Sequence, residues 1–337
     1  MEINVQKCCE ILRKMDDIVI LTHRNPDGDT LGSAFALHYI LKQLGKRSKV
    51  VCHDGFPKQF SYLLLEYEPE DFEPKAVVAV DIADEQLFGE NLNEYKGKVD
   101  LCIDHHGSNK HYAKNWLVRD SAAACCEIIE DICYGFEETQ LTKIIADCIY
   151  TGVSTDTGCF RYSNTTGHSH AVAGRMFKAG CDFVMINRAM FEVKSFSRIA
   201  IEREVLNGTE LYFDNRCAVI SLTKEMIERT GVLESELEGV PAMTREIEGV
   251  EIGLTLRFRD NGYKISVRTG EEIDASAICG KLGGGGHRCA AGCFVEGDLE
   301  TAKETVLKGV AEVLGEVTEG REFFRLKNRR VLLPLML

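Results

Sequence analysis

One stretch near the N-terminus, His23-Arg24-Asn25-Pro26-Asp27-Gly28-Asp29-Thr30-Leu31-Gly32-Ser33, constrains this chain more than any other. The apolar run Ile18 to Leu21 before it reads as a short buried strand. The largely apolar run Leu31 to Leu44 after it, closed by Gly45, reads as a helix. A His and two Asp therefore fall on a strand-to-helix loop. Pro26 stiffens the loop, and Gly28 and Gly32 let it turn tightly. His23, Asp27 and Asp29 bring imidazole nitrogen and carboxylate oxygen together, a donor set that suits Mn2+, Mg2+ or Zn2+. The plain alternative is a polar turn in which Asp27 and Asp29 cap a helix.

The rest of the chain repeats the design. At 337 residues it is too long for one small core, and two domains are expected. Strands are expected at 49–53, 76–80 and 99–103, and helices at 1–15, 121–134, 139–151 and 168–179. Strands alternating with helices imply a parallel sheet. Ligands in such sheets bind beyond the carboxyl ends of the strands. The first stretch, Asp81 and Asp104-His105-His106 all come just after strands, which gathers them into one composite site. Asp156 follows the helix at 139–151, in Thr155-Asp156-Thr157-Gly158. On an extended stretch, adjacent side chains point to opposite sides. One of His105 and His106 could then bind metal while the other faces substrate.

Residues 188–210 are more charged and lack a strand run, so they read as a connecting helix and linker after a first domain at 1–187. A second domain is expected at 211–316. It would hold a strand at 216–222, a hairpin of 250–259 and 263–269 around Asp260-Asn261-Gly262, and a helix at 274–282. The loop Gly283-Gly284-Gly285-Gly286-His287 and a closing helix at 299–315 complete it. The basic-apolar tail, 317–337, has no assigned role.

Composition narrows the partners. A net charge of −13 argues against coating long nucleic acid with a broad basic face. A short anionic substrate in a local positive pocket remains compatible with it. None of the 14 Cys forms a C-x-x-C pair, which argues against a structural zinc site. The N-terminus lacks a signal-peptide pattern and no apolar stretch is long enough to span a bilayer. A reduced, cytoplasmic protein with many buried thiols and no membrane partner is expected.

Taken together, H-x-x-P-D-x-D-x-x-G-S, D-x-x-D, D-H-H and D-T-G resemble the DHH phosphoesterase superfamily. The later G-G-G-G-H-x-x-A-A-G, at 283–292, resembles the DHH-associated C-terminal domain. The combination looks most like the branch of NrnA-type bifunctional oligoribonucleases and pAp phosphatases. The resemblance implies an α/β fold: a parallel-sheet domain with helices on both faces, a smaller C-terminal α/β domain, and an active site in the cleft between them.

It also implies two divalent ions, Mn2+ preferred for mixed imidazole and carboxylate ligation. His23, Asp27 and Asp81 would hold one. Asp29, Asp81, His105 and Asp156 would hold the other, with Asp81 as the bridge. Asp104 would orient a ligating His through its free N–H, and His106 would face the phosphate or the leaving oxygen. Two divalent ions would cancel the four Asp charges and form a bridging hydroxide directed at phosphorus. Gly284, Gly285 and Gly286 would offer backbone N–H groups to substrate phosphate, with His287 as a further donor and Arg268 as a bidentate contact. The alternative for these residues is a flexible connector and a solvated strand Arg.

The implied activity is hydrolysis of short oligoribonucleotides (nanoRNA) to mononucleotides and of pAp to AMP. The alternatives are a linear-dinucleotide phosphodiesterase acting on pApA or pGpG, a family II-like pyrophosphatase, and a catalytically inactive nucleotide sensor. Short RNA or pAp would be the partner, with long nucleic acid excluded and a homodimer left open.

Overall fold

The structure, a computed structural model, describes residues 1–237 and 239–315. The tail expected at 317–337 lies outside the described residues. The chain divides into two compact units, with the boundary after Val193.

The first unit contains α1 (Val5–Lys14), β1 (Ile18–Leu21), α2 (Gly28–Gln43), β2 (Ser48–Val51) and β3 (Ala76–Val80). It continues through β4 (Leu101–Asp104), β5 (Asn115–Val118), α3 (Cys125–Tyr134), α4 (Lys143–Asp156), α5 (Gly167–Lys178) and α6 (Phe183–Asn187). The five strands form one sheet in the order β2-β1-β3-β4-β5, parallel throughout. β1 and β3 are buried along their whole length, because both faces of the sheet are covered, and so they read as unbroken apolar runs. Successive residues alternate between two cores. Ile18, Ile20, Val78 and Val80 pack with residues of α2, α3 and α4. Val19, Leu21, Val77 and Ala79 face Phe88 and Leu92, from the short 3-10 turns of residues 85–95.

α2 is the central helix, buried from Gly28 to Leu41. It starts at Gly28 rather than at Leu31, because the Asp27 side chain caps it by accepting from the backbone N–H of Asp29 and Thr30. Asp29 therefore lies in the first helical turn and not on a loop. At two points α2 and its neighbours approach so closely that a side chain would not fit without a shift. A Cβ on Gly32 would fall 2.4 Å from the Cys148 carbonyl oxygen of α4, and one on Gly152 would fall 2.3 Å from Cys126 Sγ and 2.5 Å from Asp29 Oδ1. α4 extends to Asp156, beyond the expected end at Thr151, so Asp156 is the last helical residue.

The second unit contains α7 (Phe196–Asn207), β6 (Glu210–Tyr212), β7 (Cys217–Leu222), α8 (Lys224–Thr230), β8 (Ile252–Arg259) and β9 (Gly262–Thr269). α9 (Ala275–Gly280), β10 (Gly285–His287), β11 (Ala290–Glu296) and α10 (Leu299–Leu314) follow. Its sheet runs β10-β11-β9-β8-β7-β6. Only β7 and β8 pair in parallel. The hairpin expected around Asp260-Asn261-Gly262 joins β8 to β9 in full antiparallel register. The Gly run does not remain a loop: Gly285 to His287 form β10 and pair with β11. Among the described residues, no helix is long and apolar enough to cross a membrane.

Gly32→Ala should cost about 1–3 kcal/mol, the usual range for forcing a methyl into a packed core, because the atom it meets is helix backbone. Urea unfolding should show a lower midpoint with an unchanged slope.

Candidate metal centre

Six Asp and His side chains converge on the carboxyl edge of the first unit's sheet, each placed by the end of an element. His23 follows β1, Asp81 follows β3, and His105 follows β4. Asp27 and Asp29 open α2, and Asp156 closes α4. Asp81 takes a left-handed backbone conformation, with φ of 57°, and its N–H donates to the Ile103 carbonyl at 2.9 Å. A non-glycine residue held in that region marks a site where placement outweighs local strain.

His23 and His105 are oriented in the same way. His23 Nδ1 lies 2.9 Å from the Arg24 carbonyl oxygen, and His105 Nδ1 lies 3.1 Å from that of Ala122. A carbonyl only accepts, so Nδ1 must carry the hydrogen and Nε2 is turned inward. His23 Nε2 then stands 3.6 Å from Asp27 Oδ1 and 3.7 Å from Asp81 Oδ2. His105 Nε2 stands 3.4 Å from Asp81 Oδ1, 3.4 Å from Asp156 Oδ2 and 3.7 Å from Asp29 Oδ2. Two donor groups result, His23–Asp27–Asp81 and Asp29–His105–Asp156, each with its ligand atoms within 4.8 Å of one another. Asp81 turns one carboxylate oxygen to each imidazole. A third group, Asp81–His105–His106, overlaps them.

These residues fit divalent cations. Asp81 Oδ1 and His105 Nε2 are buried and have no hydrogen-bond partner. Their separations of 3.4–3.7 Å exceed the hydrogen-bond range of about 2.7–3.2 Å. Buried polar atoms left unpaired in this way need an ion or ligand to satisfy them. Without one, protons take its place. Burial opposes charge on His23, but Asp27 and Asp81 outweigh it and raise its pKa to about 11. Burial likewise opposes charge on His105, yet Asp81, Asp29 and Asp156 raise its pKa to about 10. Burial, reinforced by the Asp81 charge, pushes the Asp29 carboxyl up to about 7. Burial and the charges of Asp29, Asp27 and Asp81 lift Asp156 well above the ordinary carboxylate range.

Asp104 has a different partner from the one expected. Its Oδ1 accepts from His106 Nδ1 at 2.8 Å and from the backbone N–H of His105 at 2.8 Å and of His106 at 3.2 Å. Its Oδ2 accepts from Asn109 Nδ2 at 2.6 Å. Asp104 thus aims His106, whereas His105 and His23 are aimed by backbone carbonyls. The supports that sequence reasoning missed are mostly main chain. Cys125 N–H donates to Asp29 Oδ2 at 2.6 Å and Cys126 N–H to Asp29 Oδ1 at 3.0 Å. Ala124, the residue that precedes α3, has no side-chain cap to offer. Asp29 does that work from another helix and gains the favourable end of the α3 dipole. An Ala at a helix start signals an uncapped end in the sequence, but not which residue supplies the cap.

The remaining candidates belong to the second unit. Arg268 lies on β9 opposite Ala290, and its guanidinium donates to the Val267 carbonyl at 3.1 Å. The N–H of Gly284 is committed within the unit, to the Cys279 carbonyl at 2.9 Å. Gly285 and Gly286 pair with Gly292 and Ala291. The side chain of His287 lies outside what the structure describes.

The profile of the DHH family, N-terminal domain, matches residues 17–153, and that of the DHHA1 domain matches residues 218–316. The chain belongs to the DHH family, among members that carry a DHHA1 domain. It is 32% identical to the bifunctional oligoribonuclease and PAP phosphatase NrnA of Thermus thermophilus, over 90% of this chain and 93% of that one. NrnA of Bacillus subtilis is 24% identical over 83% of this chain and 90% of its own length. An exopolyphosphatase-related protein from Bacteroides fragilis shares the fold, with a TM-score of 0.82 at 23% identity, over 91% of this chain and 95% of that one.

Cation binding at pH 7 should release protons, since His23 and His105, with pKa values of about 11 and about 10, are protonated in the empty site and Asp29, at about 7, is partly so. Ligation requires the deprotonated forms, so affinity should rise with pH through this range. Calorimetric titration with Mn2+ in buffers of different ionisation enthalpy should report roughly two or more protons released per chain.

Proposed function

We propose that this chain is a metal-dependent phosphoester hydrolase that cleaves short oligoribonucleotides to mononucleotides and removes the 3′-phosphate of pAp. The observation that carries the reading is the pair of donor groups joined through Asp81. The substrates follow from kinship with the Thermus thermophilus NrnA along nearly the whole of both chains.

His23, Asp27 and Asp81 would hold one cation, and Asp29, Asp81, His105 and Asp156 the other. Two divalent ions, Mn2+ in preference to Mg2+ for such a mixed set, supply Lewis acidity toward the phosphate and acidify water. The protein contributes the arrangement. Asp81 fixes the relation of the two groups. His106 has its Nδ1 pinned to Asp104 on a ring that stays part-exposed. The hydrogen bond that His106 donates to Asp104 raises the His106 pKa, against the opposing effect of burial. That keeps a proton available for the leaving oxygen, the role of a general acid.

Arg268, the Gly285–Gly286 backbone and His287 are proposed to bind substrate phosphate. A guanidinium suits bidentate phosphate contact. The net charge of −13 favours short substrates, because a longer strand would extend over a repelling surface.

The test is product analysis with Mn2+ on RNAs of graded length from the dinucleotide upward, together with pAp and pyrophosphate. Mononucleotides from the shortest RNAs and AMP from pAp are expected. Turnover of pyrophosphate alone would overturn the assignment. Arg268→Ala should lower kcat/KM on dinucleotide and pAp about tenfold to a few hundredfold, the scale of one charge-assisted hydrogen bond. Hydrolysis of bis-p-nitrophenyl phosphate should fall less, and Mn2+ should still raise the variant's melting temperature.

A further inference from the structure

The members of the Asp29–His105–Asp156 group come from α2, the end of β4 and α4, yet one short segment supports two of them directly. Within residues 122–126, the Ala122 carbonyl accepts from His105 Nδ1 at 3.1 Å, and the Cys125 and Cys126 N–H groups donate to Asp29 at 2.6 and 3.0 Å. Asp156 is joined to the same segment through Asn164. The Asn164 side-chain amide donates to the Asp156 carbonyl at 3.1 Å and to the Ala123 carbonyl at 3.2 Å. Both acceptors are carbonyl oxygens, so the NH2 side of the amide must face them.

The Asp156 carbonyl is in the last turn of α4, where helix carbonyls lack partners within the helix. Asn164 therefore closes the end of α4 and ties it to the entry of α3. The chain returns from Asp156 to Asn164 through an unusual turn. Gly158, Cys159 and Phe160 are all left-handed, with φ of 55°, 57° and 62°. The N–H groups of Arg161 and Tyr162 both donate to the Thr157 carbonyl, at 2.9 and 3.0 Å. Consecutive non-glycine residues hold such a conformation only where surrounding contacts enforce it.

We infer that Asn164 is a positioning residue for cation binding: it fixes Asp156 against the Asp29–His105 pair by bridging the carbonyls of Asp156 and Ala123. The inference rests on the two-cation reading of the site. Asn164 is exposed, so its replacement removes no core packing. Its loss should therefore register in cation affinity rather than in fold stability.

The experiment is calorimetric Mn2+ titration of metal-free wild type, Asn164→Ala and Asn164→Asp, with thermal melts of the metal-free proteins. Asp156→Asn identifies the binding step that depends on Asp156. Both Asn164 variants should weaken that same step about 10- to 100-fold, the usual effect of removing a residue that supports a ligand, and leave the other step near wild type. Metal-free melting temperatures should stay within a few degrees. Asn164→Asp conserves shape, loses the donor and adds a charge that would by itself attract a cation, so weakened binding in it reports the lost hydrogen bonds rather than lost space filling. Wild-type affinities in both variants would overturn the inference, as would equal weakening of both steps or a large fall in the metal-free melting temperature. If wild type itself bound no Mn2+, the two-cation reading would be what failed.

Discussion

Four aspartates and two histidines are forced together at one edge of a buried parallel sheet, and the first unit is organised around that electrostatic conflict. Asp29 and Asp81 are almost fully enclosed, where a carboxylate has lost most of its hydration. With no positive side chain among the two donor groups other than protonated imidazole, the cluster gathers protons: His23 rises to about 11, His105 to about 10 and Asp29 to about 7. Protons satisfy such a cluster poorly, since they leave Asp81 Oδ1 and His105 Nε2 unpaired. Divalent cations would resolve the conflict, because they would place concentrated positive charge among oxygens and nitrogens that are already aimed inward.

The scaffold that holds this conflict in place is mostly main chain. Carbonyls of Arg24 and Ala122 set the two inward-facing imidazoles, and the N–H groups at the start of α3 hold Asp29. Backbone groups suit the purpose, since they are fixed by the secondary structure and have no rotamers to lose. The glycines matter for the same reason. A side chain at Gly32 would press on the backbone of α4, and one at Gly152 would crowd Cys126 and the Asp29 carboxylate. His106 is the exception, held by the side chain of Asp104, and it is also the most exposed of the three imidazoles.

The parts legible in the sequence were those in which side chains carry the signal. β1 and β3 were readable as apolar runs because both faces of their sheet are covered. Asp81 and His105 could be placed at one edge because a parallel sheet puts all its strand ends there. The start of α2 was misplaced by three residues because its first turn, Gly28-Asp29-Thr30, carries no apolar periodicity and is defined by the Asp27 cap instead. β5, β10 and β11 went unseen. β5 has a single buried residue, β10 opens on two glycines, and β11 opens on Ala290-Ala291-Gly292, so that only Cys293-Phe294-Val295 carries a strand-forming signal. The support of Asp29 by α3, and the pairing of Asp104 with His106 rather than with one of the expected ligating imidazoles, depend on tertiary proximity and backbone atoms, which residue spacing does not encode.

If Asp81 unites the two donor groups into one centre, both cations must lie against its carboxylate. Crystals soaked in Mn2+ and measured at the manganese absorption edge test it most directly. Two anomalous peaks per chain are expected, one beside His23 and Asp27 and one beside His105 and Asp156, with Asp81 touching both. A single peak, or two peaks that do not share Asp81, would contradict it.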